Sequence, residues 1–448
     1  MDFIYGVSHF ERSRGSFPAL PLINLTAEQV PTEQAPSLQS RPGLVTAGVT
    51  LGSGPIHALF HGDGVLSGER YSITGTRAYK DTTNLGAVNG TGHAKVLGFE
   101  TFAFFNRGQS LYSYNGTTFS TIAFPDSANV TTICVGSSRL IAIRADSGKI
   151  YWSSPLGGTI DALSFATAEY SPDHLLDCVY VGDRLVLLGS STVEFWQPTG
   201  DQDAPFEPII GLVYPKGVKN TGAATSFNTA IAWVTNDNQI CIDSPDNVIS
   251  EPGLNAKIEA EASVKLWSFV LDGIDYLCLR TSTASYVFNS VTSLWSEFTS
   301  YGLSNWICQC YDSGEFGSAT NGSLYEWGTT HVDLSGNLER RFRAWIPITD
   351  STVPLNAVTL RLAPGQTPYD VGQYAEPSVE LRLSQDSGNT WTEWLPRSLG
   401  SSGEYRKLTR WNSLGSFGYP GVLAEFRVTS PVPLRVSGLY ANQTGGAI

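Results

Sequence analysis

No stretch of the chain approaches the roughly 18 consecutive apolar residues of a membrane helix. The opening Met1-Asp2-Phe3-Ile4-Tyr5-Gly6-Val7 has neither the basic start nor the apolar core of a secretory leader. Both absences predict a soluble protein made in the cytosol. Sequons such as Asn24-Leu25-Thr26, Asn89-Gly90-Thr91 and Asn115-Gly116-Thr117 then read as turn chemistry, because nothing in that compartment glycosylates them. Basic charge is scarce as well. Lys and Arg number 28 against 41 Asp and Glu, a formal net charge of −13, and no basic stripe is visible. Affinity for a phosphate backbone comes from clustered cations that release counterions, so an electrostatic nucleic-acid binder is excluded. DNA passing nearby is not excluded, since an acidic, hydrated wall repels phosphate.

Cysteine and histidine are equally thin, at six each. Cys134, Cys178, Cys241, Cys278, Cys308 and Cys310 sit mostly inside apolar runs such as Thr132-Ile133-Cys134-Val135, which predicts buried free thiols. Cys308 and Cys310 share a strand face, yet no second Cys pair or nearby His completes a zinc set. The histidines are scattered, and His57-Ala58-Leu59-Phe60-His61 reads as a strand running into a Gly-rich turn. There is no G-x-S-x-G elbow, P-loop or HExxH. A glycosidase needs two carboxylates about 5–10 Å apart, and a sialidase an activated Tyr with an Arg cluster. Acidic residues here fall mainly in turns, as in Asp183, Asp272-Gly273 and Asp312-Ser313-Gly314. The expectation is a protein with no enzymatic activity, no metal and no cofactor.

Turn and strand chemistry is what the chain has in quantity. Its 45 Gly, 24 Pro and 11% aromatic residues suit short half-buried strands joined by frequent turns, and 448 residues call for two or three domains. Residues 1–49 are rich in Pro, Ser and Gln and weakly periodic, which predicts an extended N-terminal arm held by its neighbours. Across residues 50–336 a module recurs about every forty residues: an apolar strand, a turn, a second apolar strand, a polar turn, then a short strand carrying Tyr or Trp. Val96-Leu97-Gly98-Phe99, Phe102-Ala103-Phe104-Phe105 and Ser110-Leu111-Tyr112-Ser113-Tyr114 make one copy; Ile133-Cys134-Val135-Gly136, Arg139-Leu140-Ile141-Ala142-Ile143 and Ile150-Tyr151-Trp152 make the next. Such repeats bury their faces by radial closure, so an all-β fold with a central β-propeller of about seven blades is expected, six or eight also being compatible with the spacing. Residues 337–448 lack that period, and alternating runs such as Val379-Glu380-Leu381-Arg382-Leu383 predict a β-sandwich-like domain. The recurrent blade-end aromatics read chiefly as packing between blades.

Ser384-Gln385-Asp386-Ser387-Gly388-Asn389-Thr390-Trp391 fits the S-x-D-x-G-x-T-W Asp-box known from sialidases and other propellers. Its residues Ser384, Asp386, Gly388, Thr390 and Trp391 are those of a structural hairpin turn: the Asp caps amides, the Gly takes positive φ and the Trp packs beneath. The motif carries no catalytic group, occurs once and lies outside the repeating region. An alternative function is a carbohydrate-binding or carbohydrate-degrading propeller, acting as a receptor-binding component.

The opening stretch Arg14-Gly15-Ser16-Phe17-Pro18, Leu22-Ile23-Asn24-Leu25 and Arg41-Pro42-Gly43-Leu44 resembles the N-terminal signature of the packaged-DNA stabilisation proteins of P22-like short-tailed phages. Pro377-Ser378-Val379-Glu380-Leu381, Gly403-Glu404-Tyr405-Arg406, Trp411-Asn412-Ser413-Leu414-Gly415 and Phe426-Arg427-Val428-Thr429 are similar to that family's C-terminal domain. The resemblance implies a virion component, a tail hub or nozzle with no catalytic residues. It implies a hexameric ring below the portal and head-to-tail adaptor that extends the DNA channel, closed by a tail needle or plug and offering a site to tailspikes or fibres. Double-stranded DNA would pass through without sequence-specific binding. Phe17, Pro18, Asn24, Arg41, Pro42, Tyr405, Arg406 and Trp411 are then the candidate partner contacts.

Overall fold

The computed structural model describes residues 9, 19–29, 36–168, 170–348 and 352–443, and among them strands make up nearly all regular structure. Apolar runs such as Arg139–Arg144 and Leu175–Val181 form strands because their β-branched and long aliphatic side chains pack on both faces. They stop where two residues turn the chain back. Ser137 and Ser138 have φ of 47° and 56°, Gly182 and Asp183 both 57°, Asp272 and Gly273 52° and 76°. Two consecutive left-handed residues give the tight hairpin whose twist matches the flanking strands.

Seven four-stranded antiparallel blades result among the described residues, the sixth of them continuing into a nine-stranded sheet. The first six take their strands in chain order and span residues 56–87, 95–122, 130–167, 175–214, 224–248 and 265–298; they are blades 1 to 6. Blade 7 has Cys308–Asp312, Glu315–Ser318 and Ser323–Trp327, and its outermost strand comes from the other end of the chain, β4 below. The innermost strands of successive blades pack side by side around the ring, blade 7 closing on blade 1. The protein is therefore an all-β propeller of seven blades with an additional C-terminal sheet domain. All six cysteines are buried and unbonded, as their apolar settings predicted. Asp183 and Asp272 sit in turns, as expected, whereas Asp312 ends a strand and its Oδ2 accepts the His61 amide at 2.5 Å, clamping blade 7 to blade 1.

The N-terminal segment supplies four strands: β1 (Leu22–Ile23), β2 (Leu25–Glu28), β3 (Ser37–Ser40) and β4 (Leu44–Thr50). β1 lies parallel to the outer strand of blade 6 through Ile23 opposite Glu297, and antiparallel to Arg340–Pro347 through Leu22 opposite Phe342. From there one sheet of the second domain continues through Gly421–Val428, Ser378–Ser384 and Leu395–Ser398. β2 pairs with β3, and β3 with Arg435–Gln443, which continues into Val353–Leu362 and Thr409–Asn412 as the other sheet. Leu22, Leu25 and Leu38 fill the core between the sheets together with Phe342, Trp411, Phe426 and Leu439. β4 then pairs with Ser323–Trp327 and completes blade 7. A boundary at residue 50 thus divides a strand that belongs to the propeller, and a boundary at 337 leaves three strands of the sandwich on the wrong side. The physical reason is edge closure: a last blade or sheet left with an open edge offers unpaired amides, and borrowing a strand from the distant terminus covers it.

Candidate assembly surfaces

Two predicted contact residues form the junction between the domains. Asn24 takes φ of 55° between β1 and β2 and is buried. Its Nδ2 donates to Thr299 Oγ1 at 2.9 Å and to the Glu339 carbonyl at 2.8 Å, while its Oδ1 accepts from Arg41 Nε and from the Thr299 amide, both at 3.0 Å. The buried Arg41 also donates from Nη2 to the Thr299 carbonyl at 2.7 Å and lies 3.4 Å from Asp333 Oδ2. Its guanidinium carbon is 5.2 Å from the ring centre of Phe298 and 5.9 Å from that of Trp327. Asp333 in turn accepts the Leu44 and Tyr301 amides, both at 3.0 Å. Both side chains are buried among these partners, so Asn24 and Arg41 act as fasteners joining the N-terminal segment, blades 6 and 7 and the sandwich. Pro42 is half-buried, and its carbonyl accepts from Arg41 Nη1 at 2.8 Å. His331 Nδ1 stands 3.0 Å from the Arg41 carbonyl; burial, with the Arg340 charge adding to it, pushes its pKa down to about 4. Phe17 and Pro18 lie outside the described residues.

Trp411 is fully buried in the sandwich core, where its indole donates to the Leu395 carbonyl at 2.7 Å. It is a packing residue and not a surface contact. Tyr405 and Arg406 are exposed on the neighbouring loop. The Asp-box forms a turn after the strand Ser378–Ser384. Asp386 Oδ1 accepts the Thr390 amide at 2.7 Å and the Ser384 hydroxyl at 2.8 Å, and Oδ2 accepts the Thr390 hydroxyl at 2.6 Å. Those donors hold its carboxyl down at about 2. Gly388 has φ of 97°, and its carbonyl accepts the Trp391 indole at 3.0 Å. The carboxylate is committed to backbone capping.

Beside that turn the outward face of the sheet carries a stack of alternating cations and rings. Arg343 and Arg382 cover Trp391 at 5.0 and 4.4 Å, and Arg382 and Arg427 cover Trp394 at 4.4 and 4.2 Å. The buried Glu425 accepts Arg343 Nε at 2.7 Å and Arg382 Nε at 2.5 Å, and Glu380 accepts Arg427 Nε at 2.8 Å. Sequence reasoning did not single out this plate. Its signal was the charge at alternate positions 341 and 343, 380 and 382, 425 and 427.

A second feature escaped the sequence reading. In blade 3 the outer strand pairs Phe165 with Tyr151 and Ile160 with Ser153, so four residues, 161–164, stand opposite Trp152 alone. In blade 4 the outer strand pairs Val213 with Glu194 and Pro208 with Trp196, so residues 209–212 stand opposite Phe195 alone. These matched bulges lift Leu163, 86% exposed, and Ile210, fully exposed, off the rim of adjacent blades. Blades 3 and 4 lie across the ring from blade 7; the sandwich sheet is joined to its neighbour, blade 6, through β1. Among the described residues no group of three or more His, Cys, Asp and Glu is placed to hold a metal ion, and no helix is long and apolar enough to cross a membrane.

Comparison with known proteins gives a family. The model of a phage-stabilisation family described as "Bacteriophage P22 Gp10, beta-propeller" matches residues 6–242, more than half of the chain. Among solved structures, BBS1N from the crystal structure of its complex with ARL6DN gives a TM-score of 0.42 at 11% identity, over 64% of this chain and 98% of that one. YCF48 from Cyanidioschyzon merolae gives 0.40 at 10%, over 64% and 98%. Chaetomium thermophilum Raptor gives 0.41 at 11%, over 65% and 29%. No curated protein sequence matches the chain.

Proposed function

This chain belongs to the bacteriophage P22 Gp10 family of phage-stabilisation β-propellers, and from that membership we propose that six copies form a ring below the portal and adaptor that extends the DNA channel and helps retain packaged DNA. It is a structural protein of a phage tail; the ring, its place and its partners are the proposal. The observation that carries it is the course of the N-terminal segment. β1 to β4 put strands into both sandwich sheets and into blade 7, so two domains become one stiff body tied by backbone hydrogen bonds and by the Arg41 junction. A subunit that resists the pressure of packed DNA needs that stiffness, because closely packed β-modules transmit load without yielding.

A cyclic ring joins unlike faces of neighbouring subunits. The apolar knobs Leu163 and Ile210 face away from the sandwich side, which suits contact with the sandwich side of the next copy. The exposed loop at Tyr405 and Arg406 suits a tailspike, fibre or needle. The net charge of −13 suits a passage that repels phosphate and lets DNA slide. A role without catalysis is supported by the protein's most enzyme-like motif, whose carboxylate is spent on a turn. Imaging or native mass spectrometry of the protein with its adaptor tests the proposal. Six-fold rings are expected, and Leu163→Asp with Ile210→Asp reduces them to free subunits of unchanged fold. A protein that stays monomeric with its adaptor, or cleaves host polysaccharide, contradicts it.

A further inference from the structure

The innermost strands of the propeller start at one mouth of its central channel, and that mouth carries unbalanced charge. Lys95 and Lys265 open the first strands of blades 2 and 6. Their surroundings differ. Lys95 Nζ donates to Asp177 Oδ1 at 2.6 Å and to the Cys178 carbonyl at 2.8 Å, and this buried carboxylate also accepts the Gly222 amide at 2.8 Å. Burial opposes the Lys95 charge, yet Asp177 keeps its pKa above the ordinary value. Lys265 Nζ donates to the His57 carbonyl at 2.9 Å and has no carboxylate within ion-pair distance among the described residues. Directly across the strand pair from Lys265 stands Arg280, a second cation. Arg280 Nη1 is spent on the carbonyls of Trp306 at 2.5 Å and Cys308 at 3.0 Å, and it too has no carboxylate partner there. Like charges facing each other across a β-ladder destabilise it. Burial pushes the Lys265 pKa down, and Arg280 adds to that effect.

Both cations line a vestibule of about 760 Å3, together with His57, His93, Gln309 and one carboxylate, Glu261. Glu261 is engaged elsewhere, accepting the Ser282 hydroxyl at 2.7 Å and the Ser282 amide at 3.2 Å. The His93 ring packs so closely on Gly222, φ 86°, that a Cβ there would sit 2.3 Å from Nδ1. An acidic protein has thus gathered, around one polar opening, two imidazoles and two cations that are hydrogen-bonded to neutral groups but have no carboxylate partner among the described residues.

We propose that this channel mouth is a binding site for a compact oxyanion, a phosphate or a small polycarboxylate, held between Lys265 and Arg280. Such a ligand accepts from both cations at once, and charge-assisted hydrogen bonds of this kind are the strong ones. The test is calorimetric titration of the full-length protein with sodium phosphate and, separately, with sodium citrate, in chloride buffer of fixed ionic strength. Saturable one-to-one binding of at least one of them is expected, with Kd below about 1 mM. Binding of phosphate alone assigns a phosphoryl ligand, and of citrate alone a carboxylate. Lys265→Gln, which keeps a donor for the His57 carbonyl, weakens binding about tenfold or more. Lys407→Gln, on the sandwich, leaves it unchanged. In chloride alone Lys265→Gln melts no lower than the parent, because it relieves the repulsion from Arg280. Absence of saturable heat with both anions, equal affinity in Lys265→Gln, or a Lys265→Gln melting point several degrees lower in chloride would overturn the proposal.

Discussion

At the scale of single residues, the account turns on polar groups buried far from water. Arg41 and Asp333 are both fully buried, and removing one leaves the other charged and unpaired. Arg41→Ala and Asp333→Ala are each predicted to cost about 3–5 kcal/mol, read as a drop in the urea midpoint. An unchanged midpoint for either variant would refute the fastener. His331 makes the junction sensitive to acid. Its imidazole protonates near 6.5 in an unfolded chain and at about 4 in the folded one, so below 6.5 the unfolded state binds more protons. Stability therefore falls as the pH drops from about 6.5 to about 4, by on the order of 3 kcal/mol from this residue, and levels off below. His331→Gln flattens that part of the profile, which paired denaturant curves at pH 7.5 and 4.5 measure. These roles were not legible in the sequence. Nothing local to Asn24 or Arg41 shows that they are buried, because their partners at residues 299, 333 and 339 lie far along the chain and single-sequence periodicity is blind to such pairs. The Asp-box was legible because all its partners lie within six residues.

At the scale of elements, local pattern specified the blades and long-range pairing specified their edges. The forty-residue rhythm and the two-residue turns held the propeller in plain view, since each of blades 1 to 6 takes all its strands from one repeat. β1 to β4 were legible only as an irregular arm: β2 pairs locally with β3, but the strands that anchor β1, β3 and β4 to the rest of the fold lie roughly 270 to 400 residues away. A chain beginning at residue 51 is predicted to lose blade 7's outer strand and part of both sandwich sheets, and to elute as aggregate in gel filtration. A monomer with native circular dichroism would contradict this. The rim bulges escaped notice for a different reason: Ile209-Ile210-Gly211-Leu212 continues the apolar run of its strand, and nothing in its composition marks the extra residues. Leu163→Asp and Ile210→Asp remove apolar surface already in water, so the melting temperature of the isolated subunit should move by less than about 2 °C while assembly is lost. A large drop in melting temperature would show instead that the bulges pack within the subunit.

At the scale of the whole molecule, propeller and sandwich share strands and act as one body whose value lies in its neighbours. Family membership and fold agree on a tail protein, while the ring is inferred from stiffness, the opposed faces and the acidic balance. The acidic balance predicts that assembled rings fail to retard linear double-stranded DNA in a gel at 50 mM salt, where a cationic lumen would hold it. The most direct measurement of the central claim is negative-stain imaging, with native mass spectrometry, of the purified protein mixed with its head-to-tail adaptor. The account predicts closed six-fold rings seated on the adaptor that disappear with the Leu163→Asp, Ile210→Asp variant. Subunits that remain single in the presence of the adaptor would contradict it.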